Sequence, residues 1–161
     1  MPFAPLHELL PSVAREETRS VRIPPTGEDP GEELSFLELY CDEAGCDCRR
    51  VVFQVVSDRD RHGVLAHISF GWEPSSFYRN WASFPLSAED IEELKGPALM
   101  RLSVQSDRAA DMVDYCRLLV ADTAYVERIV RHYGMFRERV GARAKPRRLY
   151  SGWRSPSKKR R

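Results

Sequence analysis

Three of the chain's four cysteines fall within eight residues, Cys41-Asp42-Glu43-Ala44-Gly45-Cys46-Asp47-Cys48. Apolar, β-rich stretches flank this run on both sides, so the chain has to reverse there and carry soft sulfur ligands into the turn. Thiolates gathered at one turn favour zinc. The flanking segments are expected to be strands over 34–41 and 50–57. With the hairpin centred between residues 44 and 45, Cys41 lies opposite Cys48. Opposed residues of an antiparallel pair share a face, with Cβ atoms about 4.5–5.5 Å apart. Cys46 then projects from the loop, where Gly45 permits the sharp reversal. The following hairpin places Glu73 roughly across from Cys48.

A chain of 161 residues can build a hydrophobic core without covalent staples. It has no apolar run of the length a membrane helix needs. The opening residues Met-Pro-Phe-Ala-Pro-Leu-His-Glu lack the basic-then-apolar order of a signal peptide. A reducing cytoplasm is the expected compartment, where clustered cysteines serve as metal ligands or redox groups more often than as disulfides.

The formal net charge of +1 conceals an asymmetry. Residues 143–161 hold nine of the 25 basic residues and no acidic one, leaving 16 basic against 24 acidic residues in 1–142. The expected organisation is one globular domain over 1–142 and a disordered basic tail over 143–161. Within the tail, Tyr150 and Trp153 stand among Arg147, Arg148, Lys158, Lys159, Arg160 and Arg161. Such a composition can meet phosphates and stack on bases, so nucleic-acid binding is one alternative function.

Apolar spacing orders the remaining elements. Leu6, Leu9, Leu10 and Val13 indicate a short helix over 5–16, followed by a strand over 18–23 that Pro24-Pro25 stops. A third sheet strand covers 64–71, reached through a hairpin connection over 58–63. An aromatic helix over 74–82, a short acidic helix over 88–94 behind Ser87 and Asp90, and a further strand over 98–104 come next. Two longer helices close the order, one over 107–120 and one capped by Asp122 that ends at Val140 before Gly141. On the last helix Val126, Ile129, Val130 and Tyr133 mark the core face. Glu127 and Arg131 form a surface pair there, with His132 solvated beside them. The expected fold is α+β: a small antiparallel sheet of three to five strands, flanking helices and a C-terminal helical pair.

A closed zinc site needs a fourth ligand. The candidates are His7, Cys116, His67, Glu73 and a loop carboxylate. Cys116 lies on an apolar helical face and reads as a core thiol. His67 pairs near Gln54, too far along its strand, and His62 sits in the opposite turn. His7, near a helix start that can dock against the sheet end, is the first choice. Arg49 and Arg50 follow the cluster and can offset the negative charge of a zinc–tristhiolate or hydrogen-bond its sulfurs. Reduced thiols without metal, and a Cys41–Cys48 disulfide or redox pair, stay open as alternatives. Against a reactive thiolate, Asp42, Glu43 and Asp47 are expected to raise the thiol pKa values.

Motifs of zinc deaminases, zincins, serine hydrolases, P-loop enzymes and dinucleotide-binding proteins are absent. The enzyme alternative is a zinc-dependent hydrolase in which the three-cysteine metal activates water and Glu73 is the general base.

The run from Leu39 to Val51, with its Y-C-D-E-x-G-C-D-C-R-R core, resembles a group of uncharacterised bacterial proteins. So do Leu6-His7-Glu8-Leu9, Gly71-Trp72-Glu73 with Phe77-Tyr78 and Trp81, and Tyr125-Val126-Glu127-Arg128 with Arg131-His132-Tyr133. The resemblance covers most of residues 6–137. It implies a metal-binding domain, with zinc the expected ion, and supplies no activity. The combined expectation is a zinc-binding interaction module. Its structural zinc clamps the hairpin through Cys41, Cys46, Cys48 and His7, its partner is an unidentified protein or nucleic acid, and it involves neither membrane nor dinucleotide.

Overall fold

The computed structural model describes residues 3–60 and 63–144. In chain order the elements are β1 (Phe3–Pro5), α1 (Leu6–Leu9), α2 (Pro11–Glu17), β2 (Arg19–Ile23), β3 (Glu32–Cys41), β4 (Arg50–Ser57), β5 (Val64–Gly71), α3 (Ser75–Trp81), α4 (Ala88–Lys95), β6 (Ala98–Leu99), α5 (Ala109–Val120) and α6 (Thr123–Ala144). The sheet is antiparallel in the order β1-β3-β4-β5-β6, and β2 pairs with the other half of β3. The chain is therefore α+β, as its patterning implies.

Alternation places the core. Leu34, Phe36 and Tyr40 of β3 share a face with Val51, Phe53 and Val55 of β4 and with Ala66 and Ile68 of β5, and all are buried. The long helices α5 and α6 contribute Met112, Val113, Cys116, Tyr125, Ile129 and Phe136 to the same core. Phe53 stacks on Tyr125 with ring centroids 6.4 Å apart, and Tyr40 meets Phe136 at 5.5 Å. Each such pair adds about 0.5–1.5 kcal/mol beyond its buried area.

Several boundaries differ from the sequence reading for physical reasons. The first helix divides at Leu10 (φ −136°, ψ 63°), because the residue before a proline avoids the helical region while Pro11 is well suited to open the next helix. A further strand, β1, pairs Phe3 with Cys41. The strand expected over 98–104 is confined to Ala98–Leu99 and gives way to a turn in which the Ser103 amide donates to the Met100 carbonyl. Helix α6 continues through Gly141 to Ala144; Gly141 does not have the positive φ of a helix-ending glycine. Ser87 and Asp90 form the expected capping box at α4, and the Asp122 carboxylate accepts from the Ala124 amide.

The buried stripe of α6 is Tyr125, Ile129, His132, Phe136 and Val140, rotated from the expected one; Val130 is 39% exposed. His132, expected in solvent, is fully buried. Arg131 pairs with Glu17 of α2 where Glu127 was the expected partner. Among the described residues, no helix is long and apolar enough to cross a membrane.

Candidate metal centre

Cys41 is the last residue of β3, and residues 42–49 connect it to β4. The Cys46 amide donates to the Glu43 carbonyl at 3.2 Å, with Gly45 at φ 78° completing the reversal. Leu39 pairs with Val52 and Phe36 with Val55. This register is shifted by two residues from one that sets Cys41 against Cys48. Continued along the ladder, it faces Cys41 toward Arg50, so Cys48 lies in the connection beyond the paired strands. A two-residue slip preserves which face each side chain occupies, since the strand period is two.

The convergence of the sulfurs survives this correction. The Sγ atoms of Cys41, Cys46 and Cys48 all lie within 4.8 Å of one another. Tetrahedral zinc with sulfur ligands at about 2.3 Å sets S···S near ~3.8 Å, so enclosing an ion requires movements of about 1 Å or less. Cys41 and Cys48 are buried, Cys46 is half-buried, and all four cysteines of the chain are free thiols.

The electrostatics of the trio are set from within. A hydrogen bond from Cys48 holds the Cys41 thiol down to about 6; burial opposes this, and the Glu43 amide, Cys46 and the Arg137 charge assist it. Engagement with Cys41 pushes Cys48 up, and burial adds to the effect. Burial is also the leading cause that raises Cys46. Mutual sulfur contacts and burial thus set the thiols, where Asp42, Glu43 and Asp47 were the expected cause.

Two arginines brace the loop. Arg49 sits in the left-handed region (φ 45°) and donates through Nε and Nη2 to the Asp47 carboxylate at 3.0–3.1 Å. Its Nη1 donates to Glu73 Oε1 at 3.1 Å, and its guanidinium lies 4.8 Å over the Phe77 ring. Tyr78, fully buried, donates its hydroxyl to the Arg49 carbonyl at 2.8 Å. From α6, Arg137 Nη1 donates to the carbonyls of Cys41 and Glu43, both at 2.9 Å. Tyr133 donates to Asp47 at 3.4 Å. Arg49 therefore binds carboxylates where a sulfur contact was one expectation. The Arg50 charge acts on Cys48, lowering its pKa against the larger opposing causes.

The other sequence candidates are dispersed. His7 is exposed on α1, beside a shallow pocket shared with Leu37 and Glu38, and is not a member of the sulfur group. Glu73 is engaged by Arg49. Cys116 is a buried core thiol. His67 pairs with Gln54 as expected, its Nδ1 3.4 Å from the Val104 carbonyl. His62 lies outside the described residues. So do Arg147, Arg148, Tyr150, Trp153, Lys158, Lys159, Arg160 and Arg161, and with them the basic tail.

One polar constellation escaped the sequence reading. His132 Nδ1 is 2.7 Å from Glu38 Oε2, and its Nε2 is 3.3 Å from Glu17 Oε2. Tyr40 donates to the same Glu38 oxygen at 2.6 Å. The available signal was Glu38 itself, a carboxylate between Phe36 and Tyr40 on the inward face of β3.

No family model, curated protein or solved structure matches the chain. Fold and site together define an α+β domain whose clustered cysteines are compatible with a structural metal ion.

Proposed function

We propose that Cys41, Cys46 and Cys48 hold a zinc ion in a structural role, clamping the connection between β3 and β4. The observation that carries this reading is the approach of the three sulfurs to within 4.8 Å of one another at the end of a strand pair. An all-sulfur donor set suits zinc, and a zinc–tristhiolate carries one net negative charge, which Arg50 and Arg137 beside Cys48 and Cys41 offset. The likeness of residues 39–51 to uncharacterised bacterial proteins, and a reducing cytoplasmic setting, belong to the same proposal.

The fourth donor comes from outside the trio, with His7 the histidine favoured by sequence. In cobalt-substituted protein, His7→Ala shifts the ligand-field bands if His7 supplies that donor; unchanged bands assign it to the loop or to solvent. Hydrolysis with Glu73 as base has less support, because Arg49 engages its carboxylate. The deciding experiment is elemental analysis of reduced protein purified without a metal-binding tag. Stoichiometric zinc supports the clamp, and folded reduced protein without stoichiometric zinc refutes it.

A further inference from the structure

We infer that Arg49 is the positioning residue of the cysteine site: it anchors Asp47 outward so that Cys46 and Cys48 turn together toward Cys41. The inference rests on the metal-binding reading above. Asp47 is the single residue between Cys46 and Cys48, so anchoring its side chain restrains the backbone from which both cysteines project. Its carboxylate takes three hydrogen bonds from the Arg49 fork and one from Tyr133. Arg49 is in turn held by three further residues. Glu73 accepts from its remaining arm, Phe77 lies beneath its guanidinium, and Tyr78 bonds its carbonyl.

These contacts belong to different parts of the fold. Glu73 follows β5, Phe77 and Tyr78 lie on α3, and Tyr133 lies on α6. A residue held at φ 45° without being glycine is sterically costly, and surrounding contacts must over-determine it. The opposite end of the loop is braced differently. One Arg137 nitrogen donates to two carbonyls, so a single donor point suffices there. The Arg49 guanidinium donates to Asp47 through two nitrogens and to Glu73 through the third, a planar fork that a lysine ammonium cannot reproduce.

That difference supplies the test. Zinc affinity is measured by chelator competition on reduced full-length protein, together with the melting temperature of the metal-stripped form. Arg49→Lys and Arg49→Ala should each weaken zinc binding by about tenfold or more, the scale seen for groups that orient metal ligands. Arg22→Lys, an exposed position on β2 at the opposite end of β3, is the control and should bind as wild type. Asp47→Asn should weaken binding as Arg49→Ala does, and combining the two should add little, because both break the Arg49–Asp47 contact. Asp47→Asn also serves as the measurement should the Arg49 variants fail to fold.

Wild-type zinc affinity in Arg49→Lys, or additive effects of the Arg49 and Asp47 changes, overturns this assignment and leaves the metal site standing. The same holds for a change confined to the melting temperature of stripped protein. Absence of zinc from the wild-type chain removes the metal reading itself and the assignment with it.

Discussion

Replacing His132 by alanine should be among the most damaging single changes in the described part of the chain. The ring is fully buried and bridges two carboxylates from different elements, Glu38 on β3 and Glu17 on α2. The two partners do not contribute equally. Glu17 is 26% exposed and is also held by Arg128 and Arg131, so losing its imidazole contact costs about 0–1 kcal/mol. The Glu38 side chain is only 1% exposed, and its Oε1 already lacks a hydrogen-bond partner. Without His132, its carboxylate keeps a single donor, the Tyr40 hydroxyl. Leaving a buried polar group without its hydrogen-bond partner costs about 1–3 kcal/mol, a sizeable share of the ~5–15 kcal/mol that typically separates folded from unfolded states. Urea unfolding of His132→Ala, Glu38→Gln and the double variant measures this directly. The midpoint should fall in His132→Ala and recover in part when Glu38→Gln replaces the stranded carboxyl group, with a coupling above about 1 kcal/mol. A loss below about 1 kcal/mol in His132→Ala, or strictly additive effects, would show that Glu38 is stabilised by something other than this contact.

Three further outcomes test other parts of the structure. Glu32, paired with Arg108 and hydrogen-bonded by Ser57, has its carboxyl held down to about 2 from an ordinary 4.5, the Arg108 hydrogen bond being the largest cause. Its stabilisation is complete above the ordinary carboxylate range and lost as pH falls toward 2, so Glu32→Gln should flatten the acid limb of a stability–pH curve. Cys116→Ala should keep wild-type metal content and cost about 1–2 kcal/mol of stability as a core truncation, whereas Cys46→Ser should lose metal. At Gly71 a Cβ would strike the Tyr78 hydroxyl and the Leu94 carbonyl, so Gly71→Ala should destabilise thermal unfolding by about 1–3 kcal/mol.

The strands were legible because their signal is local. Val51, Phe53 and Val55 alternating with Val52, Gln54 and Val56 specify a strand without reference to the rest of the chain. The limits of β4 and β5 coincide with the expected ones. What could not be read locally depended on partners far away in sequence. Val130 and His132 look like core and surface from composition. The burial of His132 becomes intelligible only when Glu38, 94 residues earlier, is known to face α6. Glu38 keeps its inward place because His132 and Tyr40 satisfy one of its oxygens. Pattern reading rejects a charged residue on a core face unless its partner is already known. The division of the first helix at Leu10 is a different failure, since Pro11 was visible and its consequence for the preceding residue is general.

The cysteine site shows why an incorrect register still led to the correct cluster. Pairing Cys41 with Cys48 across a hairpin would have made the ladder responsible for bringing the sulfurs together. The ladder instead places only Cys41, and Cys46 and Cys48 arrive from a connection with its own turn at Glu43–Cys46 and its own braces at Arg49 and Arg137. Short spacing keeps three sulfurs near one another under either register, which is why the grouping was legible. Spacing carries no information about direction, however, and a ligand set requires direction. The contacts that brace the connection come from Asp47, Glu73, Phe77, Tyr78, Tyr133 and Arg137, residues of the connection itself, the segment after β5, α3 and α6. A loop braced by this many elements can hold its sulfurs close before an ion arrives. Metal bound there would in turn resist the separation of α3 and α6 from the sheet end they share.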